Sequence, residues 1–370
     1  MRFRCEKQNL IDALSAVQKA AATKLNNITF TGVLFDVNDD NALILRGANY
    51  DMTVETCVPI ECIETGKIVL GRNVFEIAKT LPDGMVNIGV QQDTATIICG
   101  SAVFKLFTEQ ADFFPKMPSI NTNNKIKINT ATLLGIINKT VFCCSKEEMR
   151  PLFTGALLDC SSDTIKVVAT DAHRLAVCEC AQFCECEDGQ KVIIPAKALY
   201  EVARHLNNAK DIDTVTIQWD ESHACFTCGQ TKIAARLIAG QFPDWQRVIP
   251  TTFSTIATLD VKEFLGALDR VSLLTRNNEY NIINLSFNAD TVSLSAKDSN
   301  VGQASDQVTT VNFSGDPIDI AFNARYLIEI MRAIEGEQIA FSLTTHISQA
   351  VIKPANDNTV TYVITPIVKT

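Results

Sequence analysis

The sequence predicts an α+β protein made of three copies of one unit, each setting two helices against antiparallel sheet. Three observations carry this expectation. A helix-then-strand segment occurs three times, a second helix recurs in each third, and equivalent positions lie about 125 residues apart. That spacing is too long for a solenoid repeat and suits triplication of a whole domain.

The first helix-then-strand segment runs from Asn9-Leu10-Ile11-Asp12-Ala13-Leu14 through Val17 to Thr31-Gly32-Val33-Leu34-Phe35-Asp36. The second runs from Leu133-Leu134-Gly135-Ile136-Ile137 through Val141 to Thr154-Gly155-Ala156-Leu157-Leu158-Asp159. The third runs from Phe264-Leu265-Gly266-Ala267-Leu268 through Val271 to Ile283-Asn284-Leu285-Ser286-Phe287, with Asn284 in the place of the glycine. The second helices open at Asn73, Lys197 and Arg325, each just after a short apolar strand at 68–70, 192–194 or 318–322. Between helices, runs such as Thr94–Ile98 and Asp213–Ile217 alternate apolar and polar residues, the pattern of strands with one buried face. Pro115-Lys116-Met117-Pro118 with Asn121–Asn124 marks one linker and Pro250-Thr251-Thr252 the other. The expected domains are 1–120, 127–250 and 254–370.

Composition narrows the function classes. No run of about 18 apolar residues occurs, so no membrane-spanning helix is expected. Met1-Arg2-Phe3-Arg4-Cys5-Glu6 leads into no apolar segment, so the expectation is a cytoplasmic protein without a secretory signal. Thirteen cysteines, an odd number in a long chain, read as cytosolic thiols rather than a disulfide framework. The formal charge is −9, which argues against a broadly basic surface. The charge is segregated, however. The six helices and their flanks carry about fourteen basic against nine acidic side chains, about +5, leaving about −14 for the rest. One surface prepared for phosphates would give this count, and so would ordinary solvated helix faces. No helix carries a dense basic run or interleaved aromatics, so any DNA contact would be sparse and blind to sequence.

No phosphate-binding loop, dinucleotide glycine fingerprint, zinc-protease helix or nucleophile elbow is present. Asp171 and His173, two apart on an expected strand, would share a face and could suit acid–base work, but no nucleophile accompanies them. Cys178-Glu179-Cys180 with Cys184-Glu185-Cys186 is tightly spaced for zinc, and His223 with Cys225 and Cys228 fits a strand and turn equally well. No metal site is expected.

Thr170-Asp171-Ala172-His173-Arg174-Leu175-Ala176 and Gly240-Gln241-Phe242-Pro243-Asp244-Trp245-Gln246-Arg247-Val248-Ile249-Pro250 resemble the bacterial DNA polymerase III beta subunit family, the sliding clamps. The resemblance runs end to end, through Leu81-Pro82-Asp83-Gly84, Ala111-Asp112-Phe113-Phe114-Pro115 and Tyr362-Val363-Ile364-Thr365-Pro366-Ile367. It implies three repeated domains of the DNA-clamp fold in a head-to-tail homodimer, with helices lining the inside of a ring and antiparallel sheets outside. It implies a non-enzymatic processivity subunit without cofactor, and double-stranded DNA as a partner held without regard to sequence. Carried over by resemblance, DNA contact falls to Lys24, Arg72, Arg150 and Lys197, then to Lys146 and Arg204.

The resemblance also implies a pocket for short peptides of the replicative polymerase catalytic subunit, the clamp loader, other polymerases and repair proteins. Its positions are Phe153, Thr170, His173, Arg174, Leu175, Pro243, Arg247, Val248, Tyr326, Ile347, Val363, Ile364, Pro366 and Ile367. An apolar cleft rimmed by a few polar groups suits such a task. Val248, Ile347 and Val363 also read as plain core. Phe104 and Leu106 would meet Leu273 and Leu274 of a second copy, since an apolar sheet edge needs a partner. Three departures stand out: Ala172 where the family usually has glycine, the ending Thr365-Pro366-Ile367, and Asn27-Ile28-Thr29-Phe30 after the first helix. The competing readings are an enzyme using Asp171 and His173, and a monomeric nucleic-acid-binding or scaffold protein of the same triplicated fold.

Overall fold

A computed structural model describes residues 1–21, 32–186, 189–209, 211–275 and 281–368. Lys24, a candidate DNA contact, and the departure Asn27-Ile28-Thr29-Phe30 lie outside the described residues. The helices are α1 (Lys7–Val17), α2 (Asn73–Thr80), α3 (Thr130–Thr140), α4 (Ala196–Asn208), α5 (Val261–Val271) and α6 (Ala324–Ala333). Each is amphipathic in the way its spacing predicts. In α1, Leu10, Ala13, Leu14 and Val17 are buried, an i, i+3, i+4, i+7 stripe against the sheet. Three helices have side-chain caps among the described residues, the first of them α3, where Asn129 accepts the backbone N–H of Ala131 at 2.9 Å. Asp260 accepts the backbone N–H of Glu263 at 2.8 Å, and Asn323 accepts that of Arg325 at 3.0 Å. Among the described residues, no helix is long and apolar enough to cross a membrane.

The described residues form two units. The first holds Met1–Leu133 with Tyr200–Leu237, and the second Leu134–Leu199 with Ile238–Thr370. The middle sequence copy is thus divided, and strand pairing is the reason. In the first unit, the strand Thr231–Arg236 pairs antiparallel with Met52–Pro59, placing Thr231 opposite Thr56 with their buried hydroxyls 2.8 Å apart. In the second, Arg174–Ala181 pairs antiparallel with Val360–Ile364, placing Leu175 opposite Val363. Each junction joins the fourth strand of one copy to the last strand of the next. Backbone hydrogen bonding therefore makes one continuous sheet where the sequence shows a boundary.

The structure also explains the glycine of the repeated Thr-Gly segment. A Cβ at Gly32 would stand 2.7 Å from the Leu70 carbonyl oxygen, and one at Gly155 2.6 Å from that of Ile194. Only glycine permits that approach without a shift of backbone. Strand register corrects the third copy. Gly32 faces Gly71, Gly155 faces Pro195, and Ile282 faces Asn323. Ile282, not Asn284, occupies the glycine place.

The linkers are longer than their proline signals suggest. Residues 110–124 carry no helix or strand, and Phe114 packs on Leu34, Ala48 and Val69 in the first unit. In the second unit the connector runs from 238 to 254, broken only by a 3-10 turn at Trp245–Val248. It lies over an apolar patch of sheet formed by Leu157, Val168, Leu175, Val177, Ile193, Val351 and Val363.

Candidate peptide pocket and charged surface

The segment 171–173 is a turn between the strands Thr164–Thr170 and Arg174–Ala181, not the strand expected from sequence. Asp171 organises it. One carboxylate oxygen accepts the backbone N–H groups of His173 and Arg174, each at 3.0 Å, and the other takes Arg174 Nε at 3.1 Å. Both acceptor oxygens thus hold the turn, so Asp171 is a structural cap rather than a base working with His173. Ala172 has φ +75°, a left-handed conformation that favours glycine.

Arg174 is the hub of the second unit. Its side chain is only 6% exposed, yet every face of the guanidinium is engaged. Nη1 lies 2.6 Å from Glu329 on α6, and Nη2 donates to the Phe142 carbonyl at 2.8 Å. The Tyr326 ring lies 4.5 Å from the guanidinium carbon, and the His173 ring stacks on Tyr326 at 6.3 Å. Burial alone would raise the Glu329 carboxyl, but Arg174 and Arg325 outweigh it and hold it below the ordinary glutamate range. Burial, first among several causes, raises the Tyr326 phenol, so the rim keeps a neutral hydroxyl at neutral pH.

Beside this hub lies the apolar floor. Leu175 and Val363 sit opposite each other and are each 3% exposed, and Ile364 and Pro366 are also buried. The C-terminal segment is pinned by two backbone bonds, Thr365 N–H to the His173 carbonyl and Ile367 N–H to the Ala321 carbonyl. Phe153 packs edge-on against Phe242 of the connector, with centroids 6.4 Å apart. Val248 and Ile347 are 45% and 56% exposed, so the plain-core reading fails for them and holds for Val363. His173, Pro243 and Arg247 are exposed as well, and Arg247 pairs with Asp244 at 2.7 Å. Buried apolar residues, exposed apolar residues and an ion-paired arginine thus meet at one place in the second unit.

Family models for the N-terminal, central and C-terminal domains of the DNA polymerase III beta subunit match residues 1–118, 127–244 and 246–368. The chain belongs to the DNA polymerase III beta subunit family. It is 30% identical to the beta sliding clamp of Bacillus subtilis over 378 residues, covering 99% of each chain. It is 29% identical to that of Staphylococcus aureus, with 99% of each covered. Its fold is similar to the crystal structures of the Bacillus subtilis DNA polymerase sliding clamp (29% identity) and the Pseudomonas aeruginosa DNA polymerase III subunit beta (27%). Both give TM-scores of 0.94 over 100% of each chain. Membership assigns the chain the non-catalytic role of a beta sliding clamp.

The cations that the family points to fare unequally. Arg150 and Lys146 are exposed, and neither has an ion-pair partner among the described residues. Lys197, 82% exposed on α4, stands 3.7 Å from the likewise exposed Glu148, a solvent-screened surface pair. In the first unit, Arg72 is half-buried at the start of α2. Arg204 is a correction. Its guanidinium grips Glu201 and donates to the Ser15 and Ala16 carbonyls, so it fastens α4 to the end of α1 instead of facing solvent. In the last copy Arg270, Arg325 and Arg332 pair with Asp306, Glu329 and Asp269, and there the mixed-charge reading of the helices holds.

Cys5, Cys99, Cys143, Cys144, Cys160, Cys178, Cys184 and Cys228 are buried thiols, and among the described residues no group of three or more ligating side chains is arranged to hold a metal ion. Burial pushes Cys144 up to about 12 and Cys184 up to about 11, so both stay protonated at neutral pH. Sequence reasoning missed Phe142 and Glu329, which complete the Arg174 hub. The i, i+3 spacing of Tyr326 and Glu329 on one amphipathic helix was the available signal.

Two of the open strand edges stand where the strand-pairing rule of the internal junctions leaves a partner missing. Residues 102–107 pair on one side only, with Thr94–Cys99, and residues 302–309 pair only with Thr291–Asp298. On the first edge Phe104 and Leu106 are half-buried, while Val103 and Phe107 on the other face are 56% and 88% exposed. Leu273 is 56% exposed and Leu274 half-buried in a 3-10 turn after α5.

Proposed function

We propose that two copies of this chain close head to tail into a ring around double-stranded DNA and carry short peptides of replication and repair proteins in the pocket beside Arg174. The repeat carries the argument. Each internal junction pairs the fourth strand of one copy with the last strand of the next. By that rule the fourth strand of the last copy, 302–309, still lacks a partner, and so does the last strand of the first copy, 102–107. A second chain supplies each missing strand in antiparallel register, and both edges are covered at once. Phe104, Leu106, Leu273 and Leu274 would flank the seam, joined by Val103 and Phe107.

A closed ring holds DNA by topology, so contacts to phosphate need only be few and weak. Lys24, Arg72, Lys146, Arg150 and Lys197 would supply them, sensitive to salt and indifferent to sequence. The pocket residues from Phe153 to Ile367 would anchor partners by apolar side chains, with His173 and Arg247 at the rim.

Retention on nicked circular DNA, loaded with clamp loader and ATP, tests the reading. The expected result is a complex that survives on the circle and is lost when the circle is cut. Equal retention on both forms overturns encirclement, and a monomeric mass in solution favours the scaffold reading.

A further inference from the structure

We infer that the connector splits one apolar strip into two subsites. A groove on the far side of the 240–246 segment from the pocket binds a neutral apolar side chain from residues flanking the pocket-bound peptide. This deepens the pocket reading and rests on it.

The floor is one continuous row in the sheet. Ile193 lies opposite Leu157, Leu157 opposite Val168, and Val168 opposite Val177, while Leu175, Val363 and Val351 continue it on neighbouring registers. The connector lies across this row. On one side are Leu175 and Val363, the floor of the pocket already described. On the other is a groove of about 430 Å³ floored by Leu157 and Ile193 and walled by the connector from Gly240 to Gln246, including half-buried Phe242 and Trp245. That volume lies within the range of ordinary ligand sites, roughly 300 to 1,000 Å³.

Continuity with the pocket argues for the same occupant. Pro243 belongs to both sites, and Phe153, a pocket residue, packs on Phe242, a groove wall. A chain leaving the pocket along the connector therefore reaches the groove without a new binding surface. Charge selects the chemistry. The ionic groups at the groove form pairs, Asp159 with Lys191 at 3.3 Å and Asp244 with Arg247 at 2.7 Å. A charged anchor would lose its hydration and find only neutralised partners, so an uncharged apolar side chain is preferred.

The test uses the full-length protein and fluorescein-labelled synthetic peptides tiled across the replicative polymerase catalytic subunit of the same cell. Each peptide is made in a six-residue and a twelve-residue form, and Kd is read by anisotropy. The longer form of the tightest binder is expected to bind about tenfold more tightly. Gln241→Trp, which fills the groove from an exposed position, removes that gain and leaves the short form unchanged. Replacing the added apolar residue of the peptide with Asp or Lys should have the same effect. Equal affinity of long and short forms, or a gain untouched by Gln241→Trp, overturns the groove while sparing the pocket. If neither form binds the wild-type protein, the pocket reading falls and the groove with it.

Discussion

The two connectors make the most instructive comparison in the molecule. Both follow the last strand of a copy, and both contain a Phe-Pro pair, Phe114-Pro115 and Phe242-Pro243. In the first, Phe114 is 5% exposed, and Arg46, itself gripped by Glu55, donates to the Pro115 carbonyl at 3.2 Å. In the second, Phe242 and Trp245 are only half-buried, Pro243, Arg247 and Val248 face solvent, and a groove opens beneath. At its Phe-Pro pair the repeated element is sealed in one place and open in the other, although Phe113 beside the sealed pair is 80% exposed. A sealed connector contributes stability through close packing, whereas an open one keeps apolar surface in contact with water and available to a partner.

Two expected outcomes test that contrast and two test the hub and turn beside the second connector, the largest effect first. Phe114→Ala should cost about 3–5 kcal/mol, read as a fall in denaturation midpoint, without altering peptide affinity. Should it cost no more than Trp245→Ala, the two connectors are not different in kind.

Next, Glu329→Gln should weaken the hub by about 1–3 kcal/mol, because Arg174 loses a charged partner while staying buried. The pH dependence follows from the same pair. The Glu329 carboxyl is held low in the folded state, so its contribution is complete above the ordinary glutamate value of 4.5 and lost as pH falls through the depressed value. Wild-type stability should therefore drop more steeply in acid than that of Glu329→Gln, and parallel melting curves down to the acid limit would refute the hub.

Trp245→Ala should cost about 1 kcal/mol of stability, because the ring is half-exposed, and should reduce peptide affinity by a larger factor. The smallest effect expected is at Ala172. Its φ of +75° makes Ala172→Gly stabilising by about 1 kcal/mol, measured by thermal denaturation, and a loss of stability would mean the turn is unstrained.

Much of the fold was legible in the residues. The six helices announced themselves by apolar spacing, and all six begin within about three residues of the expected positions. The triplication followed from those helices and the strands behind them. Equivalences inside the third copy were less legible. Ile282 hides the glycine place because β-branched and glycine residues share no pattern, and only strand register identifies it. The pocket positions came from a resemblance, and burial sorted them into covered and exposed residues. Arg204 shows the limit: an exposed arginine and one fastening two helices look alike in a sequence, since the Ser15 and Ala16 carbonyls it binds are 189 and 188 residues away.

The sequence by itself determined the helices, the strand alternation and the triple repeat, because all of these rest on local periodicity and local turn chemistry. Only the tertiary structure decided which strands join the copies and which edges stay open. It alone decided that Asp171 caps a turn, that Arg174 is gathered between Phe142, Tyr326 and Glu329, and that one connector leaves a groove. These outcomes depend on hydrogen bonds and packing between residues far apart in the chain, and no local pattern encodes where such partners meet.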